Sequence, residues 1–231
     1  MSDQSEIKTI GIIGGTGREG KGLAYRWLKA GYHVIIGSRQ AEKAEAAAEE
    51  IRSLVGENCP GVVSGMANPN AAARADLVVL TVPYAAHRST LESLKDCLAG
   101  KILVDVTVPL VPPKVTRVQM PPEGSAAQAA QAILGDQVRV VGAFQNVSYE
   151  RLLNDNEDVG CDVLVTGSGK AAREQVLELV RAAGMTGWDA GPIENSVVAE
   201  GLTSVLIGIN KQFGVQSAGI KITGVPRDPL K

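Results

Sequence analysis

The sequence predicts an α/β fold: a doubly wound parallel sheet with a smaller C-terminal α/β extension. Three observations predict it. Apolar runs of strand length alternate with helical stretches down the chain. The run Leu77-Val78-Val79-Leu80-Thr81-Val82 is apolar almost throughout, as a strand buried on both faces must be. Aromatic residues make up only 3% of the 231 residues, which suits the aliphatic core of such a sheet.

The first strand, Ile10-Gly11-Ile12-Ile13, runs into Gly14-Gly15-Thr16-Gly17-Arg18-Glu19-Gly20. Gly15, Gly17 and Gly20 have Gly-x-Gly-x-x-Gly spacing, and a helix over 17–30 follows, stopped by Gly31. This strand–turn–helix order is that of a Rossmann-type dinucleotide-binding turn. Its first glycine makes the tight turn, its second lets a pyrophosphate approach the backbone, and its third lets the helix pack close to the strand. The helix N-terminus then offers free N–H groups and the positive end of its dipole to the phosphates.

The second strand covers 33–37 and ends at Ser38-Arg39. An NAD site places a carboxylate about 20 residues past the glycines, to hold the ribose 2′-hydroxyl. Here the position carries a hydroxyl and a guanidinium, which suit a 2′-phosphate. Thr16 can add a hydroxyl hydrogen bond, and Lys43 adds positive charge one helical turn on. The residues therefore predict NADP(H) over NAD.

Residues 41–55 are rich in Ala and Glu and predict a strong helix. A turn at 56–61 and a short strand at 62–63 follow. Asn68 is a candidate cap for the next helix, with Pro69 at its first position. The apolar strand over 77–82 ends at Pro83-Tyr84. A helix over 87–98 leads to a strand over 102–106. The segment 108–124 contains five prolines, which exclude helix interiors and central strands, and is expected to be a long loop over the C-terminal edge of the sheet, where ligands bind in such folds. Then come a helix over 125–134, strands over 138–142 and 161–166, a helix over 170–183 and a short strand over 186–190. An apolar helical tail over 194–215 must bury a face against the sheet or a second subunit. The expected division is an NADP-binding part over 1–143 and a smaller substrate-binding and dimerisation part over 144–231.

Composition narrows the function classes. A net charge of −2 gives no basic face for nucleic acid or an anionic membrane. No apolar stretch reaches transmembrane length. The acidic opening over 1–6 lacks the pattern of a signal peptide, so a cytoplasmic location is expected. Cys59, Cys97 and Cys161 are too few and too scattered for a disulfide framework, and no metal-ligand spacing occurs. The two histidines, His33 and His87, read as structural. No residue qualifies as a catalytic nucleophile or acid–base pair.

The pieces Gly14-Gly15-Thr16-Gly17, Lys21-Gly22-Leu23-Ala24, Ile36-Gly37-Ser38-Arg39, Glu42-Lys43-Ala44, Gly65-Met66-x-Asn68, Leu80-Thr81-Val82-Pro83, Ser125-Ala126-Ala127 and Asp189-Ala190-Gly191-Pro192-Ile193-Glu194-Asn195-Ser196 span nearly the whole chain. Together they resemble the NADPH-dependent reductases of coenzyme F420, the F420H2:NADP oxidoreductases. The resemblance implies hydride transfer between nicotinamide C4 and deazaflavin C5, with F420 as co-substrate, Thr16, Ser38 and Arg39 at the 2′-phosphate, and a homodimer. Such transfer needs two positioned rings and the exclusion of water, not a protein nucleophile.

The cofactor-binding candidates are Gly15, Thr16, Gly17, Arg18, Glu19, Gly20, Ser38, Arg39, Lys43, Thr81, Val82 and Pro83. The substrate-binding candidates are Tyr84, Pro109, Phe144, Gln145 and Asn146. Tyr84, Phe144 and Tyr149 can stack on a ring or serve as packing. One departure stands out: the family pattern implies an Ala-x-His-Thr segment where this chain has Ala143-Phe144-Gln145-Asn146. Gln145 can hydrogen-bond but cannot carry a positive charge. Two alternatives stay open: an NADPH-dependent reductase of a flavin, imine or carbonyl, motivated by Gln145, and a non-catalytic NADP-binding subunit, motivated by the apolar tail over 197–209.

Overall fold

A computed structural model describes residues 7–153 and 159–226. The opening segment read at 1–6 lies outside them. Strand β1 (Thr9–Ile13) leads through the glycine turn to α1 (Arg18–Lys29), then β2 (His33–Ser38), α2 (Ala41–Val55), β3 (Val62–Ala67), α3 (Asn68–Arg74), β4 (Leu77–Leu80), α4 (Tyr84–Leu98) and β5 (Ile102–Asp105). After the proline-rich loop come α5 (Ala126–Leu134), β6 (Arg139–Gly142), α6 (Tyr149–Leu152), β7 (Val163–Gly167), α7 (Lys170–Ala182), β8 (Gly187–Asp189), a 3-10 turn (Ile193–Asn195) and α8 (Ser196–Phe213).

All eight strands form one sheet in the order β3-β2-β1-β4-β5-β6-β7-β8. The pairs from β3 through β6 are parallel. Only β6 and β7 run antiparallel, with Val141 opposite Gly167 and Gly142 opposite Thr166. The C-terminal extension thus continues the same sheet. Trp27 on α1 helps bind it in place, its indole N–H donating to the Leu179 carbonyl on α7 at 2.9 Å.

Strand side chains alternate between the two faces. Ile10, Ile12, Leu77, Val79 and Val104 join one buried cluster with Leu23, Trp27 and Phe144. Ile13, Val78, Leu80 and Leu103 join a second cluster with Leu91 and Ala127. Burial on both faces is why β4 reads as an unbroken apolar run.

Local differences from the sequence expectations have physical causes. Strand β3 is six residues long rather than two, because it pairs with β2 as far as Ala67 opposite Ser38. Its Gly65 is forced by packing: a Cβ there would lie 2.2 Å from the Ala44 carbonyl carbon on α2. Asn68 is the first residue of α3 rather than its cap, which falls at Ala67. Helix α4 begins at Tyr84, three residues early, with Pro83 in the cap position. Ser125 is the cap of α5, its hydroxyl accepting from the Gln128 N–H at 3.0 Å.

The motif Asp189-Ala190-Gly191-Pro192 is a turn that redirects the chain into α8. Asp189 accepts from Arg173 Nε at 2.6 Å and from the Gly191 N–H at 2.9 Å. Gly191 has φ +88°, a conformation that disfavours side chains. The proline-rich loop lies against α8, where Ser204 Oγ donates to the Arg117 carbonyl at 3.3 Å.

A candidate dinucleotide and substrate cleft

The glycine turn meets the C-terminal ends of β2, β4 and β5 in a cleft of about 1250 Å³. Its parts follow from local structure. The Gly15 N–H donates to the Ile12 carbonyl at 3.2 Å and the Gly37 carbonyl at 3.1 Å, holding the turn against β2. A Cβ on Gly15 would lie 2.8 Å from the Ile12 oxygen, and one on Gly20 would lie 2.6 Å from the Gly15 Cα. These two glycines are needed for the turn and helix to pack. Gly17 differs, since a Cβ there would meet only the Gly14 oxygen, at 3.6 Å. The protein itself leaves the space beside Gly17 open, and the N-terminus of α1 points its free N–H groups there.

Thr16, Ser38, Arg39 and Lys43 gather at one end of the cleft. Ser38 is buried, and its Oγ accepts from the Gln40 N–H at 3.4 Å. Arg39 and Lys43 are exposed and pair with no carboxylate among the described residues. Two cations beside a hydroxyl and a helix N-terminus make a site for a polyanion.

Toward the other end, Thr81 donates through its hydroxyl to the Ile13 carbonyl at 3.1 Å, and Val82, Pro83 and Tyr84 carry the wall from β4 into α4. The phenol of Tyr84 is pushed above its usual pKa by burial first, then by Glu123 and Glu200, with Arg88 opposing. Behind it, His87 and Asp105 form a buried pair, Nε2 to Oδ2 at 2.7 Å, and Asp105 Oδ1 accepts from the Thr107 N–H at 2.9 Å. This pair fixes the start of the loop that brings Thr107, Val108 and Leu110 to the cleft.

Phe144, Gln145, Val147 and Tyr149 line the far wall with Thr203 and Ile207 of α8. Phe144 has φ +69°, the one such non-glycine among the described residues, and its ring meets Trp27 edge-on at 5.8 Å. Gln145 donates to the Asp105 carbonyl at 3.1 Å, so its side chain also ties the wall to β5.

Five sequence-predicted residues do not line the cleft. Gly15 and Gly20 lie inside the turn. Arg18 donates to the Tyr149 hydroxyl at 2.5 Å with its guanidinium over the same ring, so it acts on a wall residue. Pro109 is buried in the loop. Asn146 donates to the Ala199 carbonyl at 2.8 Å and the Thr203 hydroxyl at 3.0 Å, fastening α8 to the wall.

Glu19, Asn68 and Thr107 share a property. Glu19 Oε1, Asn68 Oδ1 and Thr107 Oγ1 are buried polar atoms without a hydrogen-bond partner among the described residues, and all three residues line this cleft. Buried polar atoms are nearly always satisfied. All three orphans belong to residues of this one cleft. Among the described residues there is no cluster of His, Cys, Asp or Glu fit for a metal, and no helix is long and apolar enough to cross a membrane.

The family model described as NADP oxidoreductase coenzyme F420-dependent matches residues 9–109. Across 225 residues the chain is 42% identical to the F420-dependent NADP reductase of Methanothermobacter thermautotrophicus, covering 95% of this chain and 97% of that protein. It is 39% identical over 221 residues to the F420-dependent NADP reductase of Methanocaldococcus jannaschii, covering 94% and 98%. The chain belongs to the F420-dependent NADP reductase family. A crystal structure of a candidate F420-dependent NADP reductase from Arthrobacter sp. FB24 superposes with a TM-score of 0.75 at 26% identity, over 94% of this chain and 100% of that one.

In this family member the glycine turn and the second strand end, which carried the NADP reading, meet the loop and α8 residues across a single cleft. Another buried carboxyl lies outside its lining. Glu200 on α8 accepts from the Ala126 and Ala127 N–H groups at 2.6 and 3.0 Å, at the start of α5. Burial pushes its pKa up to about 8 against those two hydrogen bonds, and Asp105 pushes the same way. The unfolded chain therefore loses this proton first as pH rises, so Glu200 makes stability fall between about pH 4.5 and 8. Urea unfolding at pH 5, 6.5 and 8 should show a shallower decline for Glu200→Gln than for the wild type. Parallel declines would contradict the assignment.

Proposed function

We infer that this chain is an NADP-dependent oxidoreductase that passes hydride between NADP(H) and the deazaflavin coenzyme F420. The observation that carries the reading is the cleft itself. A glycine turn with open space at Gly17, a cationic end at Arg39 and Lys43, and three residues with unpartnered buried polar atoms line one volume, in a chain 42% identical to an F420-dependent NADP reductase. These residues fit an NADP-sized polyanion with a polar ring.

When bound, NADPH supplies the hydride from nicotinamide C4 and F420 receives it at C5. The chain's part is to bind, orient and keep out water. The N–H groups at the start of α1 take the pyrophosphate beside Gly17. Thr16, Ser38, Arg39 and Lys43 take the 2′-phosphate. Thr81, Val82 and Pro83 support the nicotinamide end. Tyr84, Phe144 and Gln145, with Pro109 and Asn146 behind them, shape the place of the acceptor. Residues 1–143 form the NADP-binding part, and 144–231 the part that holds substrate and a second copy.

We also place the protein in the cytoplasm as a homodimer. Val198, Val205 and Phe213 of α8 are 63%, 48% and 67% exposed, an apolar face that a second copy would cover.

Anaerobic mixing with NADPH and oxidised F420 tests the reaction. Loss of the deazaflavin absorbance, much slower with NADH, is the expected result. Tight NADPH binding with no bleaching would overturn the acceptor and move the search to flavins, imines and carbonyls around Gln145.

A further inference from the structure

Glu19 stands in the first turn of α1, and Leu23 and Trp27 follow at the i+4 and i+8 positions of the same face. Both are fully buried. Trp27 packs on Phe144, which also lines the cleft, so this stripe runs from the core up to the cleft wall. Where it opens into the cleft the spacing calls for an apolar side chain. The chain has a carboxylic acid there instead. Glu19 as a whole is partly exposed, but its Oε1 is shut off from solvent and has no partner among the described residues.

The neighbouring charges do not serve it. On its own helix, Arg18 donates to the Tyr149 hydroxyl and Lys21 pairs with Glu50 of α2. The other titratable side chains on the cleft wall are Tyr149 of α6, Tyr84 of α4, and Arg39 and Lys43 at the cationic end. Burial alone pushes the Glu19 pKa up to about 8, with no charge contributing.

We propose that the Glu19 carboxyl is a specificity-determining contact for an amide edge on one of the two bound rings: the carboxamide of the nicotinamide or the imide of the deazaflavin. This rests on the functional reading above. A carboxylic acid has an O–H donor beside a C=O acceptor. A carboxamide or imide has an N–H donor beside a C=O acceptor. The two match in a pair of parallel hydrogen bonds. An ionised carboxylate would lose the donor half and would stand close to the phosphates that the same helix end attracts. The acid form, held by burial at neutral pH, avoids both problems.

Glu19→Leu and Glu19→Gln separate the outcomes. Leucine completes the apolar stripe and preserves the fold. Glutamine keeps a donor and an acceptor side by side. If the carboxamide is the partner, Glu19→Leu weakens NADPH in the binary complex roughly tenfold, the value of about one lost buried hydrogen bond. It also loses the preference for NADPH over its 3-acetylpyridine analogue, which lacks the N–H group. If the imide is the partner, NADPH binding is unchanged and the KM for F420 rises by about the same factor. In either case Glu19→Gln recovers most of the loss, and wild-type affinity for that ligand falls above about pH 8 while that of Glu19→Gln does not. Wild-type affinities retained in Glu19→Leu would overturn the proposal, as would a Glu19→Gln as weak as Glu19→Leu. Failure of the wild type to reduce F420 strikes the functional reading instead, and leaves the carboxamide arm to be decided by NADPH binding alone.

Discussion

Gly17→Val abolishes binding of NADPH and NADH alike while the protein stays folded. The expectation rests on the contrast among the three motif glycines. Gly15 and Gly20 cannot accept a Cβ without contacts of 2.8 and 2.6 Å to backbone atoms, so they serve the fold. Gly17 can, because the nearest atom would be 3.6 Å away. Its φ of −76° and ψ of 166° are ordinary for any residue, and it is exposed. Nothing in the protein asks for glycine here. The space is explained by a ligand that reaches the backbone, and the pyrophosphate is the group that does so in this motif. A shift in Tm of no more than a few degrees, with cofactor fluorescence titration showing no binding, is the expected pair of results. Unchanged affinity would mean that the glycine turn is not the cofactor site.

Arg39→Ala separates the two cofactors. Arg39 is exposed at the end of β2, has no carboxylate partner among the described residues, and lies on the cleft beside Ser38 and Lys43. Only NADPH carries a 2′-phosphate for it to hold. A hydrogen bond to a charged group contributes about 1.5–3 kcal/mol, so NADPH affinity should fall roughly ten- to a hundredfold. NADH affinity should hardly change. Equal losses for both would refute the 2′-phosphate assignment.

The half of the cleft assigned to the dinucleotide was legible because its signals are local. A strand, a glycine turn and a helix are contiguous in sequence, and the Ser38-Arg39 position is set by the length of one helix and one strand. Hydrophobic period gave the strands on both faces. What sequence misjudged was decided by tertiary pairing: β3 extends past the apolar pair Val62-Val63 to Ala67 because β2 offers it a partner. Helix α4 starts at Tyr84 because Pro83 fits the position before a helix. The opposite wall was only partly legible. Phe144 and Gln145 were identified through a resemblance and the loop over 108–124 by its prolines, but Thr203 and Ile207 reach the cleft from a helix far away in sequence. Glu19 was named for its place in the motif. That its carboxyl oxygen lacks a partner depends on every neighbour at once, and no local signal carries that.

The central claim is direct hydride passage between two rings held in this cleft. NADPH deuterated at C4 on one face, then on the other, tests it when mixed anaerobically with oxidised F420. Deuterium from one face only, recovered in the reduced deazaflavin with none washed into solvent, is the predicted result. Label lost to water, or recovered equally from both faces, would contradict it.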